Sequence, residues 1–380
     1  MTRNVSGFRL NIKPPELEEI LADMRGVLAS GQLTLGTHGK QFEDEFAKLV
    51  GVPYSCAVNS GTAALEIALR IFGVEGKEVL VPTNTFFATA AAVIHAGGKP
   101  RFVDCDPGTL AMDYRSLVER WTHRCAGVII VHIGGPVAPC IQAVQHFCRE
   151  RGLFLLEDAA HAHGSSLGGR QAGTFGDAAA FSFYPTKVMT SGEGGMLVTA
   201  NEQLYREALV YRDQGKEGFF SNFHVRLGHN WRMSELHAVL GRSQLRQLPA
   251  NITRRRQIAR WYDLALRGLP EFIPQSLPEG SESNYYKYPV MLPEGVSRKE
   301  FKPKLKADWT VSLSGEVYDL PCHKQPVFVK YADANLTGAE YACAQHICLP
   351  LYPDLTQAEV DYVVEALRMT VSATPKEVSH

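Results

Sequence analysis

Between residues 54 and 199 short apolar runs alternate with stretches of helical periodicity, and that alternation leaves few folds open. Tyr54–Asn59 reads as a strand and Thr62–Phe72 as a helix. Glu78–Pro82 is a strand and Ala88–Ala96 an alanine-rich helix. Pro100–Asp104 and Gly127–His132 are strands, Ile141–Arg151 a helix, and Leu153–Glu157 a strand ending in acid. Ala178–Ser182 and Gly195–Thr199 add two more strands. Apolar strands joined through helices imply an α/β fold, with a mostly parallel sheet covered on both faces.

The flanks differ. Pro14 and Pro15 open a 3.6-residue stripe through Leu17, Ile20, Leu21, Met24, Val27 and Leu28, and a second helix follows Gly39 with Phe42, Phe46 and Leu49 inward. From Glu202 to about Leu266 the pattern is helical, broken near Gly215 to Asn230, with Gln257–Leu266 as a long connecting helix. After Pro270 the texture changes. A strand is expected at Tyr285–Leu292, a helix at Ser297–Ala307, a strand at Trp309–Leu313 and an amphipathic helix at Thr356–Met369. The expected division is a large domain over residues 1–255 and a smaller C-terminal α+β domain over 256–380. The N-terminal segment is expected against the small domain, and the polar tail from Ser372 is expected to fray. Arg254-Arg255-Arg256 reads as a solvated helix face.

Composition excludes several classes. A formal net charge of −1 over 380 residues gives no pull toward nucleic acid or an anionic membrane. No run approaches the roughly 20 apolar residues of a membrane span. The eight cysteines are scattered and never spaced CxxC, which suits a reduced cytoplasmic enzyme better than a disulfide framework. GxGxxG and HExxH are absent, and residues 36–41 lack the spacing and final hydroxyl of a P-loop.

What remains is a pair of reactive groups. Asp158 closes an apolar strand at the end where open α/β sheets bind ligands. Lys187 follows on a small-residue loop, after Phe181-Ser182-Phe183 and before Gly192, Gly194 and Gly195. An aldehyde cofactor of the pyridoxal phosphate type needs such a pair: an amine to form an imine, and a carboxylate to keep the ring nitrogen protonated. Asn59-Ser60-Gly61-Thr62 opens a helix whose free N–H groups attract an anion, although a plain serine N-cap explains it equally well. Ser182 offers a hydroxyl to the same phosphate, and His161 a hydrogen bond to the ring oxygen. His161 and His163 lack a third ligand at metal-site spacing, so no metal is expected.

These motifs resemble, in order and over nearly the whole chain, the DegT/DnrJ/EryC1/StrS sugar aminotransferases, which have the type I aspartate-aminotransferase fold. The likeness includes Asn59-Ser60-Gly61-Thr62-Ala63-Ala64-Leu65, the run Val81 to Thr89, Glu157-Asp158-Ala159-Ala160-His161, Phe181 to Lys187, Gly192-Glu193-Gly194-Gly195, Gly228 to Met233 and Leu349-Pro350-Leu351-Tyr352. The resemblance implies that Lys187 bonds the cofactor aldehyde and moves the proton, Asp158 pairs with the ring nitrogen, and His161, where many members have Gln, meets the ring oxygen. It implies that Phe86 stacks on the ring and that Gly61, Thr62 and Ser182 bind phosphate. Asn230 would reach the neighbouring subunit's cofactor in a homodimer, and Tyr318, His323 and Arg232 would lie near the substrates. Lysine at 187, where the family's dehydratases carry histidine, implies transamination from L-glutamate to a nucleotide-linked keto sugar. A dTDP-4-keto-6-deoxyhexose comes first; a 3-keto sugar nucleotide, a keto-inositol or a non-catalytic PLP-binding regulator are the alternatives.

Overall fold

The computed structural model describes residues 3–10, 12–218 and 221–373. At its centre is a seven-stranded sheet: β1 (Tyr54–Val58), β2 (Glu78–Pro82), β3 (Lys99–Val103), β4 (Cys125–Val131), β5 (Phe154–Asp158), β6 (Ala178–Ser182) and β7 (Gly195–Thr199). The order is β1-β7-β6-β5-β4-β2-β3, and β7 alone runs against the rest. Both faces are covered. Leu80, Ile130, Leu155 and Val198 face one hydrophobic cluster, while Val81, Ile129, Leu156 and Leu197 face the other. The period-2 alternation within each strand sorts side chains between the two layers.

The helices of the first part are α1 (Pro14–Ser30), α2 (Thr37–Val50), α3 (Gly61–Ile71), α4 (Phe87–His95), α5 (Tyr114–Arg120), α6 (Ile141–Arg151) and α7 (Glu202–Arg212). Helix α2 starts two residues ahead of Gly39. The carboxylate of Glu235, itself buried, accepts the first-turn N–H groups of Gly36, His38 and Gly39 at 3.0, 2.8 and 2.8 Å. Of the stripe expected on α1 only Ile20 and Val27 are buried, against Val239; Leu17, Leu21 and Leu28 stay exposed. The contact with the next helix is a narrow seam, so a wider apolar face finds no cover in the single chain.

The connecting helix is far longer than Gln257–Leu266. Helix α8 runs from Glu235 to Leu266, through Pro249. Its Leu248 and Ile252 pack in the sheet-side cluster, whereas Ile258, Tyr262 and Leu266 pack in another with Val5. That second cluster is completed by α9 (Arg298–Trp309), α11 (Gln357–Ser372), β8 (Tyr288–Met291) and β9 (His346–Leu349); α10 (Thr337–Gln345) leads into β9. Strands β8 and β9 pair antiparallel. The strand expected at Trp309–Leu313 does not form. Thr310 turns left-handed (φ 53) after α9, and Val311 makes one isolated bridge, to Val5. β9 takes the place beside β8 instead.

The arginine triplet is not a solvated face. Arg255 is buried and donates to the Tyr285 and Leu351 carbonyls at 3.0 and 3.1 Å; Arg254 reaches Pro353 and Leu355, and Arg256 reaches Ser283. Together they lash α8 to the later strands. All eight cysteines are unpaired. Among the described residues no helix is long and apolar enough to cross a membrane, and no cluster of metal-ligand side chains occurs. Past Ala373 the tail lies outside the described residues.

Candidate active site

Strand geometry separates the two acids that end β5. Neighbouring strand residues point to opposite faces. Glu157 turns into the protein, where it accepts the N–H groups of Gly173, Phe175 and Gly176 (2.8, 2.6 and 2.7 Å) and pairs with His132 Nε2 at 2.8 Å. It is fully engaged. Asp158 turns the other way, into a cavity of about 470 Å³ at the C-terminal ends of the strands. Its Oδ2 accepts the Thr89 hydroxyl at 2.7 Å and its Oδ1 the Ala160 N–H at 3.2 Å. Because Thr89 donates to Asp158, the Thr85 hydroxyl must donate to Thr89, 2.8 Å away. Burial pushes the Asp158 carboxyl up, and Thr89, Ala160 and Lys187 pull it back.

Helix α3 points its N-terminus at the same cavity. Ser60 caps it, accepting the Ala63 N–H at 3.1 Å, and the Gly61 and Thr62 N–H groups precede the first intrahelical bond. The N-cap and the anion cradle therefore coexist. Gly61 is needed for close approach, since a Cβ there would stand 2.9 Å from the Ser182 Cβ. Lys187 enters from the loop after β6. Its amine lies 4.9 Å from the centre of the Tyr286 ring, and burial, opposed by Asp158 and reinforced by Lys287, lowers its pKa to about 8. An amine so placed has a usable lone pair near neutral pH.

His161 is 5 % exposed and lines the cavity. The Gly134 N–H donates to its Nδ1 at 3.4 Å, which leaves Nε2 to carry the proton, 3.4 Å from the Tyr318 hydroxyl. Burial, then the nearby lysines, hold His161 well below the usual imidazole pKa, so the ring is neutral. Phe86 and Tyr318 also line the cavity, with ring centres 6.4 Å apart.

Three expected residues stand elsewhere. His323 is buried between Thr83 Oγ1 (2.8 Å) and Glu340 (3.1 Å), outside the cavity lining. Arg232 is bonded to Asp213. Asn230 lies on an exposed stretch, its carbonyl accepting from Asn59 Nδ2 at 3.3 Å. None of the three lines the cavity of its own chain.

Other residues at the site were not singled out from the sequence: Thr89, Tyr286 and Lys287. Thr89 lies in the first turn of α4, and the Thr85 hydroxyl meets it from just ahead of the helix. Tyr286 and Lys287 arrive from the far side of the chain, and only Asn284 explains how. Its Nδ2 donates to the His161 and His163 carbonyls (2.8 and 2.9 Å) and its Oδ1 accepts the Tyr286 N–H at 2.8 Å. Gly135 must be glycine beneath it: φ is +123, and a Cβ would stand 2.3 Å from Asn284 Oδ1. Tyr286 then packs against His161, ring centres 4.4 Å apart and the planes tilted by 33°.

An amine with a lowered pKa, a buried carboxylate and a helix N-terminus around one cavity could hold a phosphorylated pyridine aldehyde. The α3 N–H groups and the His161 Nε2–H would donate to its phosphate and ring oxygen, and the Asp158 carboxylate would accept from its protonated ring nitrogen. Such a lining on an α/β sheet fits the site of a transaminase of the pyridoxal-phosphate type. Residues 14–368 match the DegT/DnrJ/EryC1/StrS aminotransferase family, and the chain belongs to that family. It is 36% identical to the spore coat polysaccharide biosynthesis protein SpsC of Bacillus subtilis, over 92% of this chain and 94% of that one. It is 33% identical to a UDP-N-acetyl-3-dehydro-alpha-D-glucosamine 3-aminotransferase of Acidithiobacillus ferrooxidans (98% and 100% covered). It is 34% identical to the dTDP-4-dehydro-2,3,6-trideoxy-D-glucose 4-aminotransferase of Saccharopolyspora spinosa (95% and 97% covered). The structure of NtdA from Bacillus subtilis with bound cofactor PMP superposes with a TM-score of 0.88, at 29% identity, over 97% of this chain and 86% of that one.

Proposed function

We propose that the protein is a homodimeric enzyme that uses pyridoxal 5'-phosphate to move an amino group from L-glutamate to a nucleotide-linked keto sugar. The acceptor proposed first is a dTDP-4-keto-6-deoxyhexose, giving the 4-amino sugar. The observation that carries the reading is the convergence of Lys187, Asp158 and the α3 N-terminus on one cavity. The 3-aminotransferase relative, covered end to end, favours a second reading in which C3 is aminated.

When bound, the cofactor supplies an aldehyde and a ring that draws in electrons. The chain's own groups do the rest. Gly61, Thr62 and Ser182 bind the phosphate and fix the register of the ring. Asp158, whose burial raises its pKa while the Thr89 and Ala160 hydrogen bonds favour its charged form, would hold a proton at the ring nitrogen. His161 Nε2–H donates to the ring oxygen. Phe86 and Tyr286 flank the site, and Phe86 excludes water from the ring face. Lys187, whose lowered pKa of about 8 leaves part of the amine uncharged at physiological pH, would move the proton from the donor's α-carbon to the cofactor's aldehyde carbon and carry it back the other way for the keto acceptor. Exposure supports the dimer: Phe86 and Tyr184, both in the cavity lining, are 59 % and 48 % exposed in the single chain. In this reading Asn230, displayed outside its own cavity, serves the neighbour's phosphate. With the proposed division near residues 255/256, Tyr286, Lys287 and Tyr318 would belong to the small domain and the site would lie at the junction.

The test is spectroscopic. Glutamate should bleach the visible band of the loaded protein, and the keto sugar should restore it, with NMR of the product giving the carbon aminated. A band indifferent to glutamate and to other amino donors would leave a cofactor-binding regulator in place of an enzyme.

A further inference from the structure

Lys187 is not the only ammonium group in the cavity. Lys287, immediately before β8, lines it as well, and its Nζ lies 5.3 Å from the centre of the same Tyr286 ring that Lys187 approaches to 4.9 Å. The reaction as derived above gives Lys287 no work. Its polar contact is the Gly315 carbonyl at 3.0 Å. Among the described residues no carboxylate lies within ion-pair distance of it. The acids that share the cavity are engaged or elsewhere: Asp158 holds Thr89 and Ala160, Glu316 pairs with Lys302, and Glu193 makes no ion pair with Lys287.

An ammonium group half withdrawn from water, beside a second one and with one carbonyl for partner, is electrostatically incomplete. Burial pulls the Lys287 pKa down, which is the signature of that incompleteness. The cofactor phosphate does not complete it, because the phosphate donors gather at α3 and β6, whereas Lys287 stands with Tyr286, Gly315 and Tyr318 on the C-terminal side. A carboxylate would complete it, with a charge-assisted hydrogen bond in a partly desolvated site.

We propose that Lys287 is a specificity-determining residue that binds a substrate carboxylate, either that of the amino donor or one carried by the acceptor sugar. The inference rests on the transaminase reading, and it deepens that reading by requiring an acidic substrate at this end of the cavity. If the acid is on the sugar, the acceptor is a uronic-type keto sugar and not a 6-deoxyhexose.

Calorimetric titration of the cofactor-loaded protein tests this with ligands that cannot turn over: glutarate for the donor, and UDP- or dTDP-glucuronate against the matching glucose compound for the acceptor. Lys287→Met should weaken binding of one or both carboxylates about 10- to 100-fold, as expected for a lost charge-assisted hydrogen bond. Binding of the neutral sugar nucleotide should stay within about twofold, and Lys287→Arg should recover most of the loss. A loss confined to glutarate assigns the carboxylate to the donor, and one confined to the glucuronates assigns it to the acceptor. If the Met variant melts early, Lys287→Gln carries the same comparison. Unchanged affinity for both carboxylates, an equal loss for the neutral sugar nucleotide, or no carboxylate binding by the wild type would overturn the proposal. Carboxylate binding that depends on Lys287, in a protein whose visible band ignores amino donors, would count against the transaminase reading alone.

Discussion

Thr89→Val is the most informative single change at this site. Valine keeps the shape of threonine and removes the hydroxyl that donates to Asp158 at 2.7 Å. A buried hydrogen bond to a charged acceptor contributes about 1.5–3 kcal/mol. Since unfolding releases roughly 0.8 kcal/mol/K of entropy for a 380-residue chain, the cofactor-free variant should melt about 2–4 °C lower at pH 7. The sign of the pH dependence follows from Asp158. Burial raises its folded pKa above the ordinary 3.8, so ionising it costs stability, and the cost grows as pH rises from 3.8 through the folded value. Thr89 offsets part of that cost. The loss in Thr89→Val should therefore be complete at neutral pH and fall to roughly 1 kcal/mol, that of a neutral hydrogen bond, as pH approaches 4. Scanning calorimetry at both pH values, in wild-type and Asp158→Ala backgrounds, measures the coupling. A melting loss that is the same at both pH values, or the same without Asp158, would refute the reasoning.

Further expectations concern the amine and the junction. The folded pKa of Lys187, lowered from 10.5 to about 8, means the unfolded chain binds the extra proton between those values, so this residue makes the cofactor-free protein gain stability as pH rises from 8 to 10.5. Lys187→Met should abolish that part of the gain, read as the difference in urea midpoint between pH 8 and 10, and should remove the visible band. Gly135→Ala, forced into φ +123 against Asn284 Oδ1, should cost about 1–3 kcal/mol from strain alone and displace Tyr286. Its signature would be weaker cofactor binding together with a lower melting temperature.

The site was readable where its residues follow from local pattern. Asp158 ends an apolar strand, Gly61-Thr62 opens a helix after another, and Lys187 sits in a glycine-rich loop; the strand–helix alternation placed all three near one edge of the sheet. The choice between Glu157 and Asp158 needed only the strand's period of two once the covered faces were known. Misreadings came where distant chain segments decide. Glu235 caps α2 from nearly two hundred residues away, Val5 takes the single bridge that Val311 can make, and the arginines of α8 find backbone carbonyls instead of water.

By itself, then, the order of residues determined the α/β layering, because apolar alternation has few ways to be buried, and it singled out the lysine and the carboxylate on which the proposed chemistry rests, because few other residue types can supply it. Only the tertiary structure decided what faces that chemistry. Tyr286 and Lys287 meet Lys187 because Asn284 binds the carbonyls after β5 and Gly135 leaves room for it. His323 and Arg232 are drawn away by Glu340 and Asp213. Such pairings depend on which backbone groups and charges are left unsatisfied when the two hydrophobic clusters close around α8, and no local stretch of sequence carries that information.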